Sequence, residues 1–190
     1  LGKSGDLNVA RGVKYINDFA FRSCTKINTI NLPNEVLMVG NGAFSGCSSL
    51  STVYLPNSIT SIGQMAFYKC ENLTDIKIPS KVKSIGAQTF SGSGLRSVQF
   101  SSGITSISKG AFFDCKGLAR VTIPESVKSI GRGAFSRCAN LESVTFLGDA
   151  PSASSDAFAG TSPTIYYTSG TEGWSEQFSG LNTEETTSQP

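Results

Sequence analysis

Histidine is absent from this chain of 190 residues, and charged residues make up only 16% of it. The lack of an imidazole excludes any mechanism in which histidine acts as a base, a metal ligand or a pH switch. The net charge of +2 is small for a nucleic-acid-binding domain, which usually carries a strong basic excess. No apolar run approaches the roughly 20 residues of a membrane-spanning helix. We therefore expect one ordinary domain with no nucleic-acid partner and no membrane insertion.

Phenylalanine recurs along the chain at an almost constant interval. The recurring residues are Phe21, Phe44, Phe67, Phe90, Phe112, Phe135 and Phe158. The steps between them are 23 residues, except for 22 residues between Phe90 and Phe112. A fixed period of this length predicts stacked repeats, because one such unit cannot bury its apolar edge alone. The spacing gives about seven repeats and a partial repeat at the N-terminus.

The other apolar positions follow the same register, so that each unit reads A-F-x-x-C-x-x-L-x-x-V-x-I-P-x-x-V-x-x-I-G-x-x. The alternating, β-branched V-x-I piece predicts a short strand, which the following proline ends. The V-x-x-I-G piece predicts a second extended or turn segment. The A-F-x-x-C piece predicts one turn of α-helix or 3₁₀-helix. The shortened fourth unit loses its residue within 91–94, in the stretch SGSG.

This pattern resembles the BspA-like leucine-rich repeat, a class with a 23-residue repeat, and the stretches Leu50–Cys70 and Leu118–Cys138 match it nearly position by position. The resemblance implies an α/β fold: a right-handed leucine-rich-repeat solenoid, or horseshoe. A parallel β-sheet would form its concave face, with short helical or 3₁₀ and extended segments on the other sides. It also implies no enzymatic activity, no cofactor, and export to the surface of a cell, in most cases a bacterial one.

The repeat pattern decays towards the C-terminus. We expect the solenoid to occupy residues 1–181, with a C-terminal cap at about 164–181 in which Trp174, Phe178 and Leu181 cover the last coil. Residues 182–190 are polar and predict a tail or linker. An exposed last strand would also allow weak homodimerisation by edge-to-edge pairing.

Five cysteines occupy one column of the repeat: Cys24, Cys47, Cys70, Cys115 and Cys138. A ladder of thiols suggests a metal or redox site, but a small apolar residue in a core column is the simpler interpretation. Equivalent side chains on parallel coils point the same way, which suits disulfide geometry poorly. Ser93 occupies this column in the fourth unit, so the thiol is replaceable. We therefore predict a structural column and no metal.

Catalytic groups do not recur at any useful spacing. The carboxylates are scattered, and the glycines stand once per unit at turns rather than in a phosphate-binding cluster. The sequence therefore predicts no enzyme and no cofactor. Function must come from the surface.

Two columns of polar residues flank the apolar positions of the V-x-I strands and are expected to face the open, concave side. Within them the largest groups are Tyr54, Lys77, Gln99, Arg120 and Tyr166. Tyrosine and arginine are common anchors of protein interfaces, and solenoids often bind through such a face. These five residues are the predicted ligand-binding set, for a protein or glycan on a host or neighbouring cell. A passive spacer that projects other domains from the cell surface is the alternative.

Overall fold

The structure is a computed structural model that describes residues 5–187. In chain order its strands are β1 (Gly5–Asn8), β2 (Tyr15–Ile16), β3 (Ile27–Asn31), β4 (Met38–Val39), β5 (Thr52–Tyr54), β6 (Ser61–Ile62), β7 (Asp75–Lys77), β8 (Ser84–Ile85), β9 (Ser97–Gln99), β10 (Ser106–Ile107), β11 (Arg120–Ile123), β12 (Ser129–Ile130), β13 (Ser143–Phe146), β14 (Ser152–Ala153), β15 (Thr164–Thr168), β16 (Gln177–Phe178) and β17 (Leu181–Thr186). Each repeat contributes one longer and one shorter strand, so the chain winds into a solenoid of about seven coils.

The odd-numbered strands β1 to β15 form a first parallel sheet along one side of the solenoid. Its hydrogen-bonded groups are β1-β3-β5, β7-β9 and β11-β13-β15-β17, and β5 lies beside β7 as β9 lies beside β11. Partners stand one repeat apart, as Thr29 does from Thr52. The even-numbered strands β2 to β14 form a second parallel sheet, in which each isoleucine or valine points inward. The V-x-I and V-x-x-I pieces of the repeat therefore form the two sheets.

The third side of each coil consists of turns, and the described residues contain no helix. Met65 and Lys69 have left-handed φ angles of 55° and 52°, which interrupt any helix on either side of Phe67. The N–H of Tyr68 bonds within its coil, whereas the N–H of Phe67 donates to Thr89 of the next coil at 2.9 Å. In an α-helix, each of these N–H groups would instead bond to a carbonyl group of the same segment, along the helix axis. The expectation of an α/β fold with helical or 3₁₀ segments is therefore wrong, because every second N–H of this segment donates to a carbonyl of the neighbouring coil.

At Gly40 and Gly63, the glycine that ends the V-x-x-I-G piece is required by close approach between coils. A Cβ built on Gly63 would lie 2.5 Å from the backbone nitrogen of Asn41 and 2.6 Å from the carbonyl carbon of Gly40. The same substitution at Gly40 would meet Asp18 of the first coil at 2.5 Å. The backbone conformation itself does not demand glycine here. Glycine is needed because the stacked backbones of neighbouring coils leave no room for a Cβ atom.

The core is a set of continuous columns, of which the phenylalanine column is the clearest. All seven repeat phenylalanines stack in one column, with neighbouring ring centroids 5.2–5.5 Å apart and ring planes within 15° of parallel. The rings from Phe44 to Phe135 are completely buried. The predicted column is confirmed. Offset stacking at such distances adds to the free energy gained by burying the rings.

The shortened fourth coil keeps the columns aligned by tightening one turn. Ser93 still occupies the cysteine position and Leu95 the leucine position, so the missing residue lies between them. The backbone there passes so close to the third coil that a Cβ on Gly94 would lie 2.0 Å from the carbonyl oxygen of Glu71. The deletion is therefore absorbed locally, and the rings of Phe90 and Phe112 stay 5.4 Å apart.

Aromatic residues close the C-terminal end. Trp174 stacks on Tyr167 with ring centroids 5.0 Å apart, and Phe178 meets Phe146 edge-on at 5.2 Å. The polar tail is shorter than the sequence predicts, because residues 182–186 belong to β17, which pairs in parallel with β15. Backbone pairing with the free edge of β15 needs no apolar side chains, and a polar segment satisfies it. Of the rest of the expected tail, Thr187 follows β17, and residues 188–190 lie outside the described residues.

Candidate ligand-binding face

The outward side of the first sheet carries the two polar columns, which we call the polar face. The first column consists of Asp6, Thr29, Thr52, Asp75, Ser97, Arg120, Ser143 and Thr164, and the second of Asn8, Asn31, Tyr54, Lys77, Gln99, Thr122, Thr145 and Tyr166. Strand register aligns both columns: Lys77 stands opposite Gln99, and Arg120 opposite Ser143. Because successive side chains of a strand alternate between faces, the apolar partners of these residues line the core. One face of the first sheet is therefore apolar and lines the core, and the other face is polar.

The structure brings together three of the five predicted binding residues in one column. Tyr54, Lys77 and Gln99 occupy equivalent positions on β5, β7 and β9, three successive strands. All three side chains are exposed, and 62% of the surface of Tyr54 is accessible. Neighbouring strands lie about 4.8 Å apart, so the three groups form a contiguous polar and aromatic strip.

The other two predicted residues stand apart from this strip. Arg120 lies in the first column on β11, where its guanidinium is 3.6 Å from the carboxylate of Glu142. Both side chains are exposed, so the pair contributes little to stability and leaves the guanidinium available to a ligand. Tyr166 lies on β15 and is separated from Gln99 by the threonines of β11 and β13. It is half-buried and pairs with Glu184 in register.

One carboxylate of the polar face is held firmly in its ionised form. Asp75 accepts hydrogen bonds from the hydroxyl of Ser97, on the next strand, and from the hydroxyl of Thr74 at 2.8 Å. These hydrogen bonds, the one from Ser97 first, lower the pKa of the Asp75 carboxyl. Asp75 and Lys77 therefore present opposite charges on one strand of the polar face.

The cysteine column has a structural role in the arrangement. Each buried thiol donates to the backbone carbonyl of a phenylalanine one coil earlier: Cys47 to Phe21 at 3.1 Å, and Cys70 to Phe44 at 3.2 Å. All five cysteines are free. Burial raises the pKa of the Cys47 thiol to about 11, and it also raises the pKa of the Cys70 thiol. Thiols held protonated in this way are poor nucleophiles and poor metal ligands.

Nowhere in residues 5–187 do three or more His, Cys, Asp or Glu side chains come together in a way that could hold a metal ion. Within the same part of the chain there is no helix with the length and apolarity to cross a membrane.

A second surface, which the sequence analysis did not single out, covers the outer side of the second sheet. Tyr15 and Met38 pair there in register and are 55% and 36% exposed. Further along, serines replace them: Ser61, Ser84, Ser106, Ser129 and Ser152. The residue just before the inward isoleucine of each V-x-x-I-G piece forms this column. Aligning those positions across the units would have identified it.

The sequence profile described as the BspA type Leucine rich repeat region matches the chain in six copies, over residues 3–119 and 64–172. The chain belongs to the BspA-type leucine-rich repeat family. No curated protein is similar enough to this chain to count as a match.

Crystal structures of bacterial leucine-rich repeat proteins are similar to this chain in fold. One, from Bacteroides ovatus, is 24% identical with a TM-score of 0.64, and the match covers 86% of this chain and 55% of that protein. Another, from T. pallidum, is 26% identical with a TM-score of 0.55 over 88% of this chain and 75% of the other. A leucine rich cell surface protein from Faecalibacterium prausnitzii is 20% identical with a TM-score of 0.57, over 97% and 80%. This chain thus spans about half the length of the B. ovatus protein.

Proposed function

We propose that this BspA-type repeat domain is a non-enzymatic recognition module of the bacterial cell surface, which binds a protein or glycan ligand through the polar face. The observation that carries the proposal is the strip formed by Tyr54, Lys77 and Gln99, exposed and aligned on three successive strands. An aromatic ring, an ammonium group and an amide in one row offer stacking, charge and hydrogen bonding to one extended ligand.

The rigidity of the scaffold supports this role. The stacked phenylalanines run through every coil from Phe21 to Phe158, so the residues of the polar face are held in a fixed lattice. A ligand that matches this lattice does not have to order the protein, and the entropic cost of binding is lower. Location at the cell surface is supported by the F. prausnitzii relative, which is a cell surface protein.

The experiment is a binding screen against purified host matrix proteins and a glycan array. It compares the wild-type chain with the variant Tyr54→Ser/Lys77→Gln/Arg120→Gln. The matched control is Tyr15→Ser/Arg22→Gln/Lys26→Gln, which removes one exposed tyrosine and two exposed positive charges elsewhere. We expect the first variant to lose at least tenfold in affinity for the wild type's ligand and the control to lose less than twofold. Equal affinities for the two variants would refute the polar face as the binding site.

The passive spacer is the second candidate, and the same continuous core favours it because an unbroken stack makes a stiff element. A wild-type chain that binds nothing in the screen, while remaining folded, would support the spacer.

A further inference from the structure

Three exposed lysines lie on or beside the second sheet, and we call them the lysine strip: Lys83 directly before β8, Lys128 directly before β12, and Lys109 at the start of the turn after β10. Thr105 donates its N–H to the carbonyl of Lys83, and Lys128 donates its N–H to the carbonyl of Thr105, both at 2.8 Å. Lys83 and Lys128 therefore stand in one column, two coils apart, with their backbones separated by about 10 Å. Lys109 follows β10 in the coil between them.

A row of hydroxyl groups crosses the lysine strip. Ser84, Ser106 and Ser129 pair in register on β8, β10 and β12, and each points away from the isoleucine that follows it into the core. Ammonium groups on both sides of a row of hydroxyls make a surface that offers hydrogen-bond donors at regular intervals. Anionic groups attached to a polar chain are the natural complement of such a surface.

The charge of the lysine strip is not neutralised by the protein. Within residues 5–187 three ion pairs form, and they engage Lys116, Arg120 and Arg132 but no lysine of the strip. Asp156 is already held by Arg132 at 2.8 Å, and Glu125 is exposed three residues before Lys128. Positive charge without a partner attracts an external anion.

Positive and negative residues are also unevenly distributed along the solenoid axis, although the net charge of the whole chain is only +2. All 16 lysines and arginines lie at or before Arg137, together with seven carboxylates, whereas the rest of the chain has seven carboxylates and no basic residue. In a solenoid, position in the sequence is position along the axis. The coils that carry the lysine strip are therefore the basic part of the molecule, and the C-terminal cap is acidic.

We propose that the lysine strip, with Ser84, Ser106 and Ser129, is a second binding site that takes an anionic polysaccharide. Sulfate or carboxylate groups of the polymer pair with the lysines, and its hydroxyls bond to the serines. Single-stranded nucleic acid is the less suitable polyanion, because the row between the lysines consists of serines and offers no aromatic ring on which bases stack. The site lies on a different sheet from the polar face and does not depend on it.

The test measures the dissociation constants of the chain for heparin, dextran sulfate, unsulfated dextran and single-stranded DNA at several salt concentrations. Lys83→Gln/Lys109→Gln/Lys128→Gln removes the lysine strip. Lys26→Gln/Lys69→Gln/Lys116→Gln removes three other exposed lysines and gives the same net charge. We expect the strip variant to bind the sulfated polymers at least tenfold more weakly, with a shallower salt dependence, and the control to lose less than threefold. The corresponding Lys→Arg triple variant should retain binding.

Three results would overturn the proposal: equal weakening by the two glutamine variants, which indicates unspecific attraction; no binding of the sulfated polymers by the wild type at physiological salt; or tighter binding of single-stranded DNA than of heparin. Because the substituted lysines are exposed, all variants should unfold at the wild-type denaturant midpoint.

Discussion

The thiol of Cys70 donates a hydrogen bond to the backbone carbonyl of Phe44, 3.2 Å away in the preceding coil. The same relationship joins Cys115 to Phe90 and Cys138 to Phe112, each at 3.1 Å. The cysteine of the repeat is therefore more than an apolar filler. It ties each coil to the one before it through the residue that forms the aromatic column.

We expect Cys70→Ala to lower the free energy of unfolding by about 1–2 kcal/mol, since it removes a buried hydrogen-bond donor together with packed volume. Cys70→Ser keeps a hydroxyl donor at the position that Ser93 occupies in the fourth coil, and should cost less. Urea denaturation of the two variants measures the difference. A serine variant that is less stable than the alanine variant would show that the apolar character of the thiol matters more than its hydrogen bond.

Stability should fall at high pH because the buried thiols resist ionisation. Burial raises the pKa of Cys47 and of Cys115 from 9.0 to about 11 each. A folded-state pKa above the unfolded value means that the protonated thiol favours the folded state. This contribution is complete below pH 9 and is lost as the pH rises from 9 to about 11. Denaturant midpoints between pH 7.5 and 11 measure the loss.

The control for this pH dependence is Cys47→Ala/Cys115→Ala, which retains every other ionisable group of the chain. The decline between pH 9 and 11 should be smaller in the double variant. An identical decline in both proteins would assign the effect to groups other than these thiols.

Two glycines at equivalent positions should respond differently to alanine. At Gly63 the new Cβ would lie 2.5 Å from the backbone nitrogen of Asn41, whereas at Gly86 the nearest atoms are the side-chain Oγ1 of Thr89 at 3.2 Å and the backbone nitrogen of Gln64 at 3.3 Å. Backbone cannot give way as a side chain can, so Gly63→Ala forces the second and third coils apart. We expect a loss of about 2 kcal/mol or more for Gly63→Ala and less than about 1 kcal/mol for Gly86→Ala. Thermal denaturation of the two variants tests this, and equal losses would contradict the close-approach argument.

The periodicity predicted the sheets and the core correctly, and it failed on the turns. Apolar spacing identifies which residues are buried, and the stacked column from Phe21 to Phe158 follows directly from it. The A-F-x-x-C piece was misjudged as helical because its spacing also fits one helical turn. What excludes the helix is the left-handed conformation of residues such as Met65 and Lys69, neither of which is a glycine. Side-chain type did not signal it.

The candidate binding residues were predicted as members of columns, and the structure supplied their grouping. Register places Tyr54, Lys77 and Gln99 on adjacent strands and leaves Tyr166 several strands away. The repeat pattern does not predict the lysine strip, because its members fall on the second segment of the repeat, whose outward positions follow no apolar pattern. Their common surface becomes visible only when the coils are stacked.

Sequence alone determined the repeat length, the family and the identity of the buried residues. Every repeat must bury one apolar edge, so apolar residues recur at the same positions in each repeat. Tertiary structure decided how the backbone turns between the strands and which polar side chains share a surface. Both depend on contacts between neighbouring coils: an N–H that bonds to the next coil, or a lysine that lies two coils from another, leaves no mark within a single repeat.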